Sequence, residues 1–174
     1  MSNGIKVKKR NGRGTEALNL EKMHKMVDEA TQGLAGVSAS QVEIQSGIQF
    51  YDGITTAEIQ EILIKSASDL IDLEHPNYQF VAARLLLFSV RKSLYGRSRE
   101  LPELEDHIVK CVGQEVYDGD IYSKYSKEDI EKANGYIDHN RDFLFTYAGL
   151  RQVVDKYLVQ DRSTGQVYET PQFM

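Results

Sequence analysis

Cysteine, proline and tryptophan are scarce in this sequence: its 174 residues include one cysteine, Cys111, three prolines and no tryptophan. A single cysteine cannot form a disulfide within the chain, which fits a reducing compartment such as the cytoplasm. Apolar residues make up 41 % of the chain, enough for a packed core. No apolar run reaches the roughly 18 residues that span a bilayer, and no apolar stretch follows the N-terminal cations as it would in a signal peptide. We therefore expect a cytoplasmic protein without membrane contact.

Positive charge is outnumbered, since 21 basic residues face 26 acidic ones and the net charge is −5. An acidic chain of this kind is not a general nucleic-acid binder, and no nucleic-acid partner is expected. The basic residues are nevertheless concentrated near the start. Five lie within eight positions, and no acidic residue precedes Glu16: Lys6, Lys8, Lys9, Arg10 and Arg13.

This basic segment has the pattern of a β-hairpin. Apolar and basic residues alternate over Ile5–Arg10, "NGRG" is typical of a turn, and Thr15–Leu18 would be the return strand. One interpretation is an anion site, because a glycine-containing turn lets backbone amides approach a phosphate while Lys9 and Arg10 add charge. The other is a solvated strand edge, where lysine commonly guards against aggregation.

Four helices are predicted after the hairpin. Asn19 occupies an N-cap position before the first helix, and a short second helix extends to about Gln49. Thr55 and Glu58 have the spacing of a capping box at the start of the third. The fourth is expected to end at Gly96.

The remaining residues are predicted to form a linker and further helices. Arg97–Asp106 is charged, a fifth helix is expected over about Pro102–Val116, and "YAGLRQVVDKYLV" predicts another. The last residues are expected to form an incomplete hairpin with its turn at Thr164-Gly165. The predicted class is α+β and mainly α, with one domain over 1–96 and a helical segment over 97–174.

Two other groups of polar residues are candidates for catalytic or metal-binding sites. His107 and Cys111 share a helical face, but two ligands do not make a metal site. Asp138, His139 and Asp142 suit acid–base or metal chemistry, yet such polar clusters between helices are more often caps and turns. The sequence contains no Walker A, GxGxxG or GxSxG motif, so no catalytic or metal-binding residue is predicted.

Four segments of the first 96 residues resemble the ATP-cone at the N-terminus of the class I ribonucleotide reductase large subunit. They are "VKKRNG", "EALNLEKMHKMV", "QFYDGITTAEIQEILIKSASDLI" and "YQFVAARLLLFSVRKSLYG". A later segment, "YIDHNRDFLFTYAGLRQVVDKYLVQDRSTGQVYETPQF", is similar to the helical region that leads into that enzyme's catalytic barrel. The resemblance covers nearly the whole chain in order, and the second motif is the more specific of the two.

The resemblance implies that the first domain binds ATP as activator and, in many members, dATP as inhibitor, with Mg²⁺. It implies that Lys9 and Arg10 hold phosphates, that Thr56 closes the pocket, and that Lys92 adds a second phosphate contact. The nucleotide would be lined by Glu16, Ala17, Leu18, Asn19, Leu20, Glu21 and Lys22. The resemblance favours the anion site over the solvated strand edge. It also favours a phosphate contact for Lys92 over the role that a lysine in the last turn of a helix usually has, which is to oppose the helix dipole.

The implied partners are the remainder of the large subunit, in the same or a separate polypeptide, and a radical-generating small subunit. With only Cys111, the chain alone is not expected to reduce ribonucleotides, because that chemistry consumes a dithiol and needs a radical cysteine. Gln60 and Ser89 stand where some dATP-inhibited members have histidine, and the turn "NGRGTE" is one residue longer than usual, which puts inhibition in doubt. The alternative function is a free-standing nucleotide-sensing or interaction module without enzyme activity.

Overall fold

The computed structural model describes residues 5–9 and 14–174, which form two compact units. One unit runs up to Ser89 and includes Phe145–Leu150; the other comprises Val90–Leu144 and Arg151–Met174. Most of the described chain is helical and the strands are short, so the predicted α+β, mainly α class is confirmed. Among these residues, no helix combines the length and apolar character that crossing a membrane requires.

The N-terminal hairpin predicted from the alternating pattern is present. β1 (Lys6–Lys8) pairs antiparallel with β2 (Thr15–Ala17), and Val7 lies opposite Glu16. Val7 is buried while both its neighbours in the strand are exposed, because successive side chains of a strand point to opposite faces. Residues 10–13, with most of the predicted turn, lie outside the described part of the chain.

The second edge of β1 is hydrogen-bonded to the loop before the third helix. The Lys8 amide donates to the Ile54 carbonyl at 2.9 Å, and the Gly53 amide donates to the Lys6 carbonyl at 2.8 Å. The Lys6 amide donates to Asp52 Oδ1 at 2.9 Å. Gly53 has φ +86°, which glycine adopts at low cost, so the chain can turn at Asp52-Gly53 before α3. Both edges of the short strand are therefore paired.

Two helices follow the hairpin, α1 (Leu20–Thr31) and α2 (Ala39–Gly47). Asn19 is the N-cap of α1, as predicted, and its side-chain oxygen accepts from the Lys22 amide at 2.9 Å. This bond satisfies one of the amides that the first helical turn leaves without a partner. The residues of α1 that face the core are Val27 and Ala30.

The third helix, α3 (Thr56–Asp69), begins with the capping box that the sequence predicts. Thr55 Oγ1 accepts from the Glu58 amide at 3.1 Å, and Glu58 Oε2 accepts from the Thr55 amide at 2.8 Å. The Thr55 hydroxyl also donates to Glu58 Oε2 at 2.7 Å. This bond and the one from the Thr55 amide lower the pKa of Glu58, so the carboxylate stays ionised near the positive end of the helix dipole. The buried face of α3 consists of Ile59, Gln60, Leu63, Ile64, Ser66 and Ala67.

The fourth helix, α4 (Tyr78–Tyr95), also caps the end of α1. Arg84 Nη1 donates to the carbonyls of Ala30 at 3.1 Å and Gln32 at 2.7 Å. A guanidinium at this position satisfies carbonyls that the helix leaves unpaired and opposes the negative end of its dipole. As predicted, α4 ends before Gly96, which has φ +73°.

Short helices make up most of the remainder. They are α5 (Leu104–Gly113), α6 (Ile121–Lys124), α7 (Lys127–Asn134), a 3₁₀ segment (His139–Leu144), α8 (Tyr147–Gln152) and a π-helical turn (Val153–Tyr157). The fifth helix is shorter than predicted. It ends at Gly113 because Glu115 takes φ +58° and the Val116 amide turns back to the Cys111 carbonyl at 2.9 Å.

The final hairpin forms with its turn at Thr164-Gly165, as predicted, but both of its strands are present, so the prediction that it is incomplete is wrong. β3 (Gln160–Asp161) pairs antiparallel with β4 (Gln166–Val167). The turn closes because Gly165 has φ +71° and its amide donates to the Asp161 carbonyl at 2.8 Å. Two residues on each side suffice for the ladder, and a 3₁₀ segment, Pro171–Phe173, follows.

Thr55→Ala should lower the free energy of unfolding by about 1 kcal/mol, because it removes the side-chain oxygen that caps α3. Ser38→Ala is the matched control: Ser38 occupies the N-cap position of α2 without a side-chain capping bond. That change should cost less than about 0.5 kcal/mol. Urea unfolding followed by far-UV circular dichroism measures both, and equal losses would contradict the role of the box.

Candidate functional site

Lys9 lies directly beyond β1, where the predicted phosphate contact begins. Its amide donates to the Gly14 carbonyl at 3.2 Å, which extends the hairpin by one bond. Its Nζ lies 3.0 Å from Glu16 Oε2, and both side chains are about half exposed. The other predicted phosphate ligand, Arg10, is outside the described residues. An exposed ion pair of this kind is worth at most about 1 kcal/mol, so another anion can displace Glu16 at little cost.

Thr56 lies near the same end of β1. Lys8 forms a parallel bridge with Thr55, and Thr56 is the first residue of α3. The N-terminus of a helix presents unpaired amides and partial positive charge, which favour an anion. The basic end of β1 and the start of α3 are thus neighbours, as the predicted roles of Lys9 and Thr56 require.

A contact between α1 and α3 involves residues four positions after two further candidates, Lys22 and Thr56. Gln60 Nε2 donates to Met26 Sδ at 3.7 Å, and Gln60 is buried. A spacing of four residues places Lys22 on the same face of α1 as Met26, and Thr56 on the same face of α3 as Gln60. Lys22 and Thr56 therefore lie one helical turn from this contact, towards the N-termini of their helices.

The other residues of the predicted lining segment, 17–21, have separate contacts. Ala17 pairs opposite Lys6 in the hairpin, and the Asn19 side chain is engaged as the α1 cap. Leu18, Leu20 and Glu21 line a groove of about 720 Å³ that also involves α2. Glu21 forms an exposed ion pair with Lys25 at 2.9 Å. The segment therefore does not present all its side chains to one ligand.

This groove was not among the sites predicted from the sequence. His24 Nδ1 lies 2.8 Å from Glu43 Oε1 at its rim, and Ile44 and Phe50 contribute apolar surface. The detectable signal was Ile44, an apolar residue of α2 that lines the groove and is 69 % exposed.

Lys92 is exposed in the last turn of α4 and belongs to the second compact unit. Its neighbour Arg91 is buried, and Arg91 Nη2 donates to the His139 carbonyl at 2.7 Å and to Asp142 Oδ2 at 2.9 Å. Burial raises the pKa of Asp142, and the guanidinium opposes that rise. Asp142, one of the acid–base candidates, is therefore occupied as the partner of a buried arginine.

His107 and Cys111 are packed in an aromatic cluster. The His107 ring is 1 % exposed and stacks on Phe173, with centroids 4.3 Å apart and planes 11° apart. The hydroxyls of Tyr95 and Tyr117 lie 3.3 and 3.2 Å from its ring nitrogens. Burial lowers the pKa of His107 to about 4, so the ring is neutral at pH 7. Across the described part of the chain, no three His, Cys, Asp or Glu residues are grouped to hold a metal.

Comparison with known protein families adds a decisive observation to this geometry. The family profile described as the ATP cone domain matches residues 5–93, just over half of the chain. The chain belongs to the ATP cone domain family. The match begins before β1 and ends in the last turn of α4, so it includes every nucleotide-site candidate named from the sequence.

The similarity continues beyond the ATP cone. The chain is 48 % identical over all 174 residues to ribonucleoside-diphosphate reductase 1 subunit alpha of Escherichia coli, and it covers 23 % of that protein. It is 46 % identical over its whole length to the Haemophilus influenzae subunit alpha, again covering 23 %. The subunit of Enterobacteria phage T4 is 44 % identical over 91 % of this chain, which covers 21 % of the phage protein. The chain therefore spans less than a quarter of the length of these relatives.

Lowering the pH should destabilise the folded chain, because His107 is buried in its neutral form. The unfolded chain takes up a proton near the ordinary histidine pKa of about 6.5, whereas the folded chain does so only at about 4. The free energy of unfolding should therefore fall as the pH drops through this window, by at most about 1.4 kcal/mol per pH unit. Above the window His107 should cause no change of stability with pH.

The measurement is urea unfolding at about pH 7, above the window set by the two pKa values, and at about pH 5, inside it. His107→Phe should shrink the difference between the two pH values. Tyr117→Phe, which removes a hydroxyl near the ring but keeps the imidazole, is the control and should preserve it. An equal pH dependence in the wild type and His107→Phe would show that another group is responsible.

Proposed function

We propose that this chain is the regulatory N-terminal part of a ribonucleoside-diphosphate reductase large subunit, in which the ATP cone binds ATP or dATP as an allosteric effector. The regulated reaction would be the reduction of ribonucleotides to deoxyribonucleotides, carried out by parts of the enzyme beyond these residues. In this proposal the chain carries an effector site and no catalytic residue.

The observation that carries the proposal is the bridge between Lys8 and Thr55, which brings the basic end of β1, followed by Lys9, to the start of α3. A triphosphate has several negative charges, and a helix N-terminus beside lysine residues favours such an anion. Thr56, in the first turn of α3, and Lys22, on the face of α1 that meets α3, extend this polar surface. Arg10 and Lys92 are included on the family pattern.

Similarity along the whole chain favours a large-subunit segment over a free-standing sensor. The cone profile ends at residue 93, but the Escherichia coli relative matches through residue 174. A free-standing module would need only the cone. The match beyond it fits a chain that leads into the remaining part of a large subunit.

The finer assignments complete the proposal. Residues 1–96, the hairpin with α1–α4, would be the four-helix cone, and 97–174 the segment towards the catalytic barrel. The partners would be the remainder of the large subunit and a radical-generating small subunit, in the cytoplasm. Mg²⁺ would bind with the nucleotide and offset its phosphate charge, while the protein's own cations and the α3 amides would orient it.

The chain should bind ATP in the presence of Mg²⁺, and Lys9→Ala should raise the Kd by about tenfold or more. A hydrogen bond to a charged group contributes roughly 1.5–3 kcal/mol, and 1.4 kcal/mol is a factor of ten. Lys65→Ala removes the same charge from an exposed pair with Asp69 on α3 and is the matched control. Isothermal titration calorimetry gives each Kd, and equal affinities of Lys9→Ala and Lys65→Ala would refute this site.

We expect ATP and dATP to bind with Kd values within about tenfold of each other, or 1.4 kcal/mol. The triphosphate contacts are common to both, so discrimination must come from the 2′-hydroxyl and from how each nucleotide is seated. Gln60 and Ser89 offer no titratable ring for this purpose, and Gln60 already contacts Met26. We accordingly expect dATP to inhibit the complete enzyme weakly or not at all.

Calorimetry with both nucleotides tests the ratio, and the double variant Gln60→His, Ser89→His tests the cause. The double variant should move the dATP/ATP ratio away from that of the wild type. A large ratio in the wild type, or strong dATP inhibition that is lost when the cone is deleted, would show that other positions discriminate.

A further inference from the structure

A second groove lies within the second compact unit, and none of the nucleotide-site candidates lines it. Its volume is about 480 Å³, and α5, α6, α7 and Phe173 line it. The lining is mainly apolar: Leu104, Ile108, Val116, Ile121, Ile130 and Ala133. A volume of this size is in the range of ligand and peptide sites.

Tyrosines mark one side of this groove. Tyr125 lines it and is 57 % exposed, and Tyr117 also lines it. Tyr122, one turn of α6 before Tyr125, is 47 % exposed but is not part of the lining. Exposed tyrosine beside a desolvated apolar surface is typical of protein interfaces, because the ring supplies contact area and the hydroxyl stays hydrated.

The charge around the groove has one dominant sign. Residues 103–132 contain nine acidic and four basic side chains, a net charge of −5, so this segment holds the whole excess negative charge of the chain. Asp118 and Asp129 are the charged residues of the lining. The two nearby lysines form ion pairs with other acidic residues: Lys124 Nζ lies 3.6 Å from Asp120 Oδ2, and Lys127 Nζ lies 3.9 Å from Glu105 Oε1.

Asp129 is held as a fixed anion at this rim. Its carboxylate accepts from the Ser126 amide at 3.0 Å and from the Ser126 hydroxyl at 2.8 Å in the capping box of α7. The Ser126 hydrogen bonds lower the pKa of Asp129, so it remains charged. Neither Asp118 nor Asp129 forms an ion pair within the part of the chain that the structure describes.

We propose that the groove formed by α5, α6 and α7 is a docking site for a partner segment with an apolar face and lysine or arginine at its edges. The apolar floor would take the side chains of a helix or turn, and Asp118 and Asp129 would attract the flanking cations. A second copy of this chain fits poorly, since it would bring one acidic rim against another.

The probe is an amphipathic peptide of leucine and lysine, with a twin in which glutamate replaces every lysine. Binding of each labelled peptide to the full chain is followed by fluorescence anisotropy. We expect saturable one-to-one binding of the lysine peptide, at least about tenfold tighter than that of the glutamate twin and weakened by salt. Equal binding of the two peptides, or no binding of either, would overturn the proposal.

Variants separate this groove from general attraction to an acidic protein. Tyr125→Ser should weaken binding of the lysine peptide about tenfold, whereas Tyr122→Ser, which removes another exposed ring outside the lining, should not. Asp118→Asn should weaken it while keeping the bond that its side chain accepts from the Asp120 amide. Far-UV circular dichroism verifies that each variant is folded.

Two results would contradict the proposal directly. Equal losses in Tyr125→Ser and Tyr122→Ser would show that the peptide does not enter the groove. Sedimentation velocity that reveals a dimer of the chain, lost in Tyr125→Ser, would make a second copy the occupant. Neither result bears on ATP binding, which Lys9→Ala tests at a separate site.

Discussion

The pairing of β1 along both of its edges is the constraint on which the candidate nucleotide site depends. A three-residue strand with one partner would be marginal, but β1 pairs with β2 on one side and with the loop at Asp52–Thr55 on the other. The second pairing joins residues almost fifty positions apart in the chain. It fixes the basic end of the strand beside the start of α3, so an electrostatic site is built from backbone hydrogen bonds rather than from flexible side chains alone.

Basic and acidic residues are segregated along the chain. Cations cluster at the hairpin, where the bound group proposed is a small polyanion, and acids cluster over 103–132. Fields of exposed charges are screened within about 8–10 Å at physiological salt. Each cluster therefore acts on its own surroundings, and the net charge of −5 describes neither surface. An acidic overall charge is compatible with a local anion site for this reason.

Local signals were enough to predict the hairpin, the Asn19 cap, the Thr55 capping box and the end of α4, because each depends on neighbours a few residues apart. The Met26–Gln60 contact and the Arg91–Asp142 pair could not be predicted, since they join residues 34 and 51 positions apart. The turn of the final hairpin was predicted from Thr164-Gly165, but its completion was not, because a two-residue ladder leaves almost no alternating pattern to detect.

The last turn of α4 shows how a buried group can orient an exposed one. Arg91 is 4 % exposed and its guanidinium is paired with Asp142 and the His139 carbonyl. A buried charge deprived of its partner costs about 3–5 kcal/mol, so rotating this turn away from the pair is unfavourable. Adjacent residues of a helix point about 100° apart. The direction in which Lys92 leaves α4 is therefore set by the burial of Arg91, which is not itself part of the proposed nucleotide site.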